Sequence, residues 1–354
     1  MSQLFQVSVG DMGVFRARKG ETLLDAALIN GVDIPHDCRS GHCGSCRCKV
    51  ESGSVEGGET DAAGTVLACQ ARVVSDLDIS IEETPPVETF AGKVRAVEQL
   101  PGDVVELTIA TKHHFDHLPG QYVQVKFAGF PSRCYSPTVP LEGPVDRDAF
   151  RLQIRRIPNG RVSSALGQAI KLGHKVRITG PYGSAYLRPG MTDRLVLVAG
   201  GAGFAPIWSI AHAALREMPD REMVVVVGVN QRNDLYMARA LLRLVAFPKV
   251  QVVAALRESD RPNSPFQIGS PLDFMPRLTP GDIVYACGAP GLVDGVAAKA
   301  RAAGACCYVD PFYPAETVSE GMFGWAPRML AAASPRGLLR WLDGGNETID
   351  LTTG

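Results

Sequence analysis

At 354 residues the chain is long enough for two or three domains of a typical ~150 residues each. Apolar residues make up 45% and charged residues 21%, which excludes a disordered chain, a collagen-like repeat and a coiled coil. Lys+Arg 36 against Asp+Glu 37 leaves a net charge of −1, so no overall field draws nucleic acid or an anionic membrane.

Residues 3–18 alternate apolar and polar around Gly10-Asp11 and Gly13, the pattern of a β-hairpin. Thr22 then precedes Leu23, Leu24, Ala27 and Leu28, an amphipathic helix stopped at Asn30-Gly31. A cysteine loop follows: Cys38-x4-Cys43-x2-Cys46, with Cys69 further on. These intervals match plant-type [2Fe–2S] ligation, in which four thiolates hold two irons. Three ligands come from one tight loop, where Gly41 and Gly44 let backbone N–H groups approach the sulfurs, and a distant segment supplies the fourth. Zinc is the competing reading, but zinc sites pair C-x2-C with a second C-x2-C or with histidines. Cys48 lies in a strand-like stretch outside the ligand set, and His36 and His42 are read as flanking groups. Nine cysteines, an odd number clustered in this way, point to metal in the cytoplasm rather than to a disulfide scaffold. The absence of an export signal and of any apolar run of 18 residues agrees: 195–208 is cut by Gly200, Gly201, Gly203 and Pro206. On Asp37-Cys38-Arg39-Ser40-Gly41-His42-Cys43-Gly44-Ser45-Cys46 and Leu67-Ala68-Cys69-Gln70-Ala71, the region resembles a plant-type ferredoxin domain, with an α+β, β-grasp-like fold. It departs in spacing: residues 47–68, only 22, separate the last two ligands, which implies a trimmed surface loop.

Residues 82–89 are acidic, contain Pro85-Pro86 and lack apolar periodicity. The first domain is placed at 1–84 and the linker at 85–89. From 90 to 188, strands at 91–98, 103–110, 121–127, 150–157 and 175–179 with one helix at 162–170 predict an antiparallel β-barrel. Arg133-Cys134-Tyr135-Ser136 resembles the Arg-x-Tyr-Ser motif of the ferredoxin–NADP reductase superfamily. Its chemistry suits flavin: a guanidinium for a diphosphate, a phenol to lie on an isoalloxazine, and a hydroxyl for the nitrogen that receives hydride. Ile154-Arg155 and Gly160-Arg161-Val162-Ser163 resemble the second flavin segment. Gly160–Ser163 opens the predicted helix, whose N-terminus would face a second phosphate and so favours FAD over FMN. Gly180-Pro181-Tyr182-Gly183 completes the match. His113, His114 and His117 show no ligand spacing and read as an exposed loop.

After Pro189-Gly190 the texture changes. Strands 194–199, 223–229, 249–256, 282–287 and 305–309 are continuous apolar runs, and helical segments 204–217, 233–246 and 291–303 lie between most of them. That predicts a doubly wound parallel α/β domain over 189–313. In Gly200-Gly201-Ala202-Gly203-Phe204-Ala205-Pro206 the glycines let backbone approach a pyrophosphate, and Pro206 starts the helix facing it. Ala202 stands where the superfamily usually carries Thr. Cys287-Gly288-Ala289-Pro290 matches the family's Cys-Gly-x-Pro, which implies a thiol beside the nicotinamide. Asp310-Pro311-Phe312-Tyr313 follows the last strand, where relatives place an aromatic on the flavin face; Phe312 is the expected residue and Tyr313 the reserve. Only Arg232 follows strand 223–229 as a phosphate ligand, and Asp234 opposes one, so NADH is expected ahead of NADPH. Residues 314–354 form a C-terminal extension, read as two short helices packing on the body or on a partner.

The module order over 1–313 resembles the reductase components of multicomponent bacterial oxygenases, most closely those of aromatic-ring (Rieske) dioxygenases. The resemblance implies that NADH gives hydride to FAD, and that single electrons then pass through the [2Fe–2S] cluster to a separate terminal oxygenase. Ser136, Cys287 and Phe312 are the implied catalytic residues. A Rieske dioxygenase is the first expected partner, a diiron monooxygenase the second and a deoxysugar-forming dehydrase the third. A reading of another class is a non-enzymatic redox sensor or electron-distribution subunit, against which stand Ser136, Cys287 and the aromatic at 312.

Overall fold

The computed structural model describes residues 3–36, 39–41, 44–58, 64–258 and 264–313. The extension expected at 314–354 lies outside them, as do Cys38, His42 and Cys43.

In the first module β1 (Leu4–Val9) and β2 (Gly13–Arg18) form the predicted hairpin. Thr22 caps α1 (Leu23–Ile29): its hydroxyl donates to the Asp25 carboxylate at 2.6 Å and accepts from the Asp25 N–H at 3.3 Å. Leu23, Leu24, Ala26 and Ala27 on α1 share one core with Val7, Phe15, Ile34 and Ile79. The chain continues through β3 (Arg47–Ser52), β4 (Val55–Glu56), β5 (Thr65–Leu67), β6 (Arg72–Val73) and β7 (Leu77–Ser80). The main sheet runs β2-β1-β7-β3-β5, with β1 and β7 parallel, which gives the expected β-grasp arrangement. Cys48 is buried in β3, its thiol directed to the Val66 carbonyl at 3.9 Å.

The second module contains β8 (Glu88–Leu100), β9 (Val104–Thr111), β10 (Tyr122–Phe127), β11 (Arg133–Tyr135), β12 (Pro137–Thr138), β13 (Ala149–Arg155) and β14 (Lys175–Tyr182). They pair antiparallel in the order β11-β10-β14-β8-β9-β13-β12. The first and last strands of that order are neighbours in sequence, separated only by Ser136. The sheet must therefore curl until its two edges meet, and Ser136 is the seam of the barrel. The helix predicted at 162–170 is not formed; the segment holds one 3-10 turn, Ser163–Ala165. Val162, Leu166 and Ile170 are all buried, four residues apart as on a helix face. But Leu166 is extended and Gly167 takes φ +81°, which turns the chain away from helical geometry. The histidine loop is also less exposed than expected: His117 is half-buried, its ring stacked on Phe115 at 5.0 Å.

The third module is a six-stranded parallel sheet, β18-β17-β16-β15-β19-β20. Its strands are β15 (Leu195–Gly200), β16 (Met223–Val229), β17 (Val250–Leu256), β18 (Gln267–Ile268), β19 (Ile283–Gly288) and β20 (Cys306–Pro311). Helices α2 (Phe204–Glu217), α3 (Ala238–Val245) and α4 (Pro290–Ala303) connect them. Strand order reverses between β15 and β19, so a crevice opens at the carboxyl ends of those two strands. α2 grips the barrel seam. Thr138 Oγ1 donates to the Ala205 carbonyl at 2.9 Å, Ser209 Oγ to that of Pro137 at 3.2 Å and Trp208 Nε1 to that of Val139 at 3.2 Å. Among the described residues no helix is long and apolar enough to cross a membrane.

Candidate functional site

The crevice and the seam face each other. Ser136, only 8% exposed, donates from Oγ to Asp310 Oδ2 at 3.1 Å, joining the barrel to the end of β20. Asp310 is the register partner of Cys287 on β19, so the carboxyl and the thiol end adjacent strands side by side. Burial pushes the Asp310 carboxyl up to about 6, against the pull of the Ser136 hydrogen bond. Burial, with the Asp310 charge second, lifts the Cys287 thiol well above its ordinary value, so the sulfur stays protonated. Two residues on, the half-buried Phe312 donates its backbone N–H to the Gly288 carbonyl at 2.7 Å, which holds it beside the end of β19. Ser136, Cys287 and Phe312 are thus gathered, and Asp310 joins them. Its signal in the sequence is a lone acid ending an apolar strand, since a buried charge is the informative exception in such a run.

The glycine turn closes against the same point. A Cβ on Gly203 would lie 2.2 Å from the Cys287 carbonyl oxygen, so the turn rests directly on the end of β19. Gly203→Ala is expected to lower stability by roughly 1–3 kcal/mol, the cost of forcing a methyl group into filled space. A fall in the urea midpoint measures it. Gly200 and Gly288 meet with similar closeness: a Cβ on Gly288 would lie 2.9 Å from the Gly200 oxygen. Pro206 is buried in the first turn of α2.

Arg155 ends β13, yet its guanidinium reaches across to the third module. Nη2 lies 3.5 Å from Asp234 Oδ1, and a Cβ on Gly201 would sit 3.8 Å from Nη1. Nε and Nη2 are buried without a hydrogen-bond partner. A half-buried guanidinium with two unbonded nitrogens beside a glycine turn suits a phosphate, and Arg155, which stands in the barrel's second flavin segment, thus also reaches the nicotinamide turn. Arg133 is half-buried beside Tyr135, whose phenol burial raises. Gly160 is needed where it stands, because Ser163 Oγ would lie 2.3 Å from a Cβ there; that hydroxyl accepts the Ile157 N–H at 3.1 Å. Arg161 is exposed, and Ile154 and Val162 are buried in the barrel core. The helix N-terminus expected to receive a second phosphate is absent, since three residues of 3-10 turn make no such site.

Of the four thiolate ligands expected from the sequence, Cys46 and Cys69 fall within the described residues, both buried and within hydrogen-bond reach of each other. Gln70 Nε2 lies 3.5 Å from the Cys69 sulfur, and its side chain packs over Gly41. Two thiols from separate segments meeting in a buried loop, with amide donors at the sulfur, fit an iron–sulfur cluster.

The modules match known families. Residues 10–74 match the 2Fe-2S iron-sulfur cluster binding domain, 91–186 the oxidoreductase FAD-binding domain and 197–298 the oxidoreductase NAD-binding domain. The ferredoxin–NAD(P)+ reductase component of the naphthalene 1,2-dioxygenase system of Pseudomonas putida is 31% identical over 318 residues, 83% of this chain and 94% of that protein. This chain belongs to the ferredoxin–NAD(P)+ reductase components of oxygenase systems. A second such reductase, of the naphthalene 1,2-dioxygenase/salicylate 5-hydroxylase systems of a Ralstonia species, is 35% identical over 320 residues, 84% of this chain and 95% of that one. The reductase of the alkene monooxygenase system of Xanthobacter autotrophicus is 35% identical over 69% of this chain and 78% of its own. Among solved structures, a cytochrome P450 reductase from Amycolatopsis superposes with a TM-score of 0.63 at 29% identity, covering 88% of this chain and 99% of that one. The ferredoxin reductase of a carbazole 1,9a-dioxygenase gives 0.60 at 26%, with the same coverage. This reductase accordingly carries a [2Fe–2S] cluster and takes FAD and a nicotinamide dinucleotide, one module for each.

Proposed function

We propose that this reductase is NADH-dependent and delivers single electrons to a Rieske aromatic-ring dioxygenase. The observation that carries the redox chemistry is the meeting of Ser136, Asp310 and Cys287 where the barrel seam faces the crevice. When bound, FAD and the cluster together turn a two-electron hydride donor into a source of single electrons. The chain's own residues set the geometry. Ser136 presents a hydroxyl whose proton is shared with Asp310. Cys287 keeps a neutral, buried thiol at the end of β19, Phe312 lies beside it, and Gly200, Gly201 and Gly203 keep the turn low enough for a phosphate to reach Arg155. Arg133 and Tyr135 stand at the flavin edge of the same seam. The free thiols at Cys48 and Cys287 suit a reducing compartment and so support a cytoplasmic location.

NADH is preferred because of the residues just beyond β16. The Arg232 guanidinium lies 4.9 Å from the Phe266 ring, and the Asp234 carboxylate accepts the Gln231 N–H at 3.2 Å. A carboxylate fixed there repels an added ribose phosphate. Steady-state reduction of cytochrome c with each dinucleotide tests this: kcat/KM with NADH should exceed that with NADPH by at least tenfold, and parity would remove the preference. Arg133→Ala should weaken FAD retention by roughly tenfold to a hundredfold, from about 1.5–3 kcal/mol for a charged hydrogen bond, while saturating FAD restores the hydride rate.

The naphthalene dioxygenase reductases, matched over most of their length, support the dioxygenase as acceptor. The alkene monooxygenase relative supports a monooxygenase as second reading, for which the diiron class is the expected one. Product formation with each purified oxygenase decides between them.

A further inference from the structure

We infer that Arg188 is a positioning residue for electron transfer, holding the cluster loop of the first module on the barrel by gripping Glu82. The inference rests on the family's order of electron flow, from flavin to cluster, and not on the identity of the final acceptor.

Arg188 is 5% exposed and lies where all three modules meet. Its Nε and Nη2 donate to the two Glu82 oxygens, each at 2.7 Å, in the two-pronged geometry that a guanidinium imposes on a carboxylate. Nη1 donates to the Ser184 carbonyl at 2.9 Å and the Tyr186 carbonyl at 3.2 Å. The guanidinium lies 3.4 Å from the centroid of the Tyr308 ring on β20, and 4.3 Å from that of Tyr186. Tyr186 also donates its hydroxyl to Glu82. Glu82 is the point at which the chain leaves the first module, two residues after β7. One buried cation therefore ties the exit of the first module to the end of the barrel and the edge of the parallel sheet.

The loop around Cys46 is held in place by this grip. The Gly183 N–H donates to Ser45 Oγ at 3.1 Å, just before the ligand. A Cβ on Gly44 would lie 2.1 Å from Ser184 Oγ, so the loop backbone rests directly on the turn that follows β14. Just after the ligand, the Arg47 guanidinium lies 5.1 Å from the same Tyr308 ring. Cys46 is bracketed by contacts to the barrel and the nicotinamide sheet, and Ser184 belongs at once to the loop contact and to the Arg188 cage. Electron tunnelling falls exponentially with distance, so a loop that lifts from this surface passes electrons more slowly even with both modules intact. Removing Glu82 leaves Arg188 buried without its counter-charge, which favours a lifted arrangement in which water reaches it.

The test uses the holoenzyme with Glu82→Ala, and Glu82→Gln as the second variant because it keeps the side-chain shape. Both substitutions fall outside the hydride site. Each should retain full flavin and iron content and reduce ferricyanide with NADH within twofold of the wild type. Stopped-flow bleaching of the cluster should slow by at least tenfold, and hydrogen exchange should rise at 44–47 and 183–184. Glu82→Asp, which keeps the charge, should recover part of the bleaching rate. Unchanged bleaching, or unchanged exchange in those two segments, would overturn the inference; so would loss of ferricyanide activity with flavin retained, because the effect of Glu82 would then not be confined to the cluster loop.

Discussion

Cys69→Ser is expected to abolish the cluster's visible and paramagnetic signals and to cut cytochrome c reduction by more than a hundredfold, while NADH-to-ferricyanide activity survives. The reasoning is modular. Cys69 is buried in the core that α1 and β7 share, and that core contains no residue of the barrel or the parallel sheet. Losing the ligand therefore leaves the seam, Ser136 and the crevice as they were. Serine offers a hard oxygen in place of a soft thiolate, which iron–sulfur chemistry does not accept as an equivalent. Metal content and both activities, measured on one preparation, check the result. Joint loss of ferricyanide and cytochrome c reduction with FAD retained would mean that the modules are not separable in this way.

Ser136→Ala is expected to slow flavin reduction by roughly a hundredfold, the usual cost of removing one aimed donor from a water-poor site, and to leave FAD retention within twofold. The hydroxyl sits on the seam and its proton is shared with Asp310, so its loss changes what the crevice can donate and not how the barrel is built. Asp310 adds a pH dependence with a definite sign. Its folded value, about 6, lies above the ordinary 3.8, so the native state holds a proton that the unfolded chain has released. That contribution to stability is full below 3.8, declines as pH rises and is gone above about 6; its size is on the order of 3 kcal/mol. Asp310→Asn should flatten this decline in a series of urea melts. Flavin reduction should also fall as pH rises through about 6, because an ionised Asp310 claims the Ser136 proton for itself. Equal reduction rates in wild type and Ser136→Ala would remove Ser136 from the catalytic set.

Much of this is legible from short-range chemistry. The cysteine intervals, the glycine turn and the Arg-x-Tyr-Ser motif each place several groups within one short segment, so spacing in the chain stands in for spacing in three dimensions. The false helix at 162–170 shows where that fails: Val162, Leu166 and Ile170 satisfy a helical stripe while Gly167 breaks the backbone it requires. The Arg188–Glu82 grip spans 106 residues and leaves no local mark on either side. Arg155 is marked by its motif, but its second neighbourhood is not, because only the packing of β13 on the third module brings its guanidinium to Gly201 and Asp234. Asp310 stands in a recognisable motif, yet its role depends on Ser136 arriving from 174 positions away.

The one-residue join between β11 and β12 also limits how this module can change its length over evolutionary time. Side chains alternate faces along a strand, so one extra residue at 136 would turn Pro137 and Thr138 outward and break the bonds that α2 makes to the Pro137 and Val139 carbonyls and through Thr138. A deletion would leave the two edges unable to meet, and open edges invite pairing with other chains. Insertions are instead absorbed where the chain is exposed and lies outside the strands, as across 142–146, between β12 and β13. The hydride site can therefore vary in its side chains, while the number of residues that build it stays fixed.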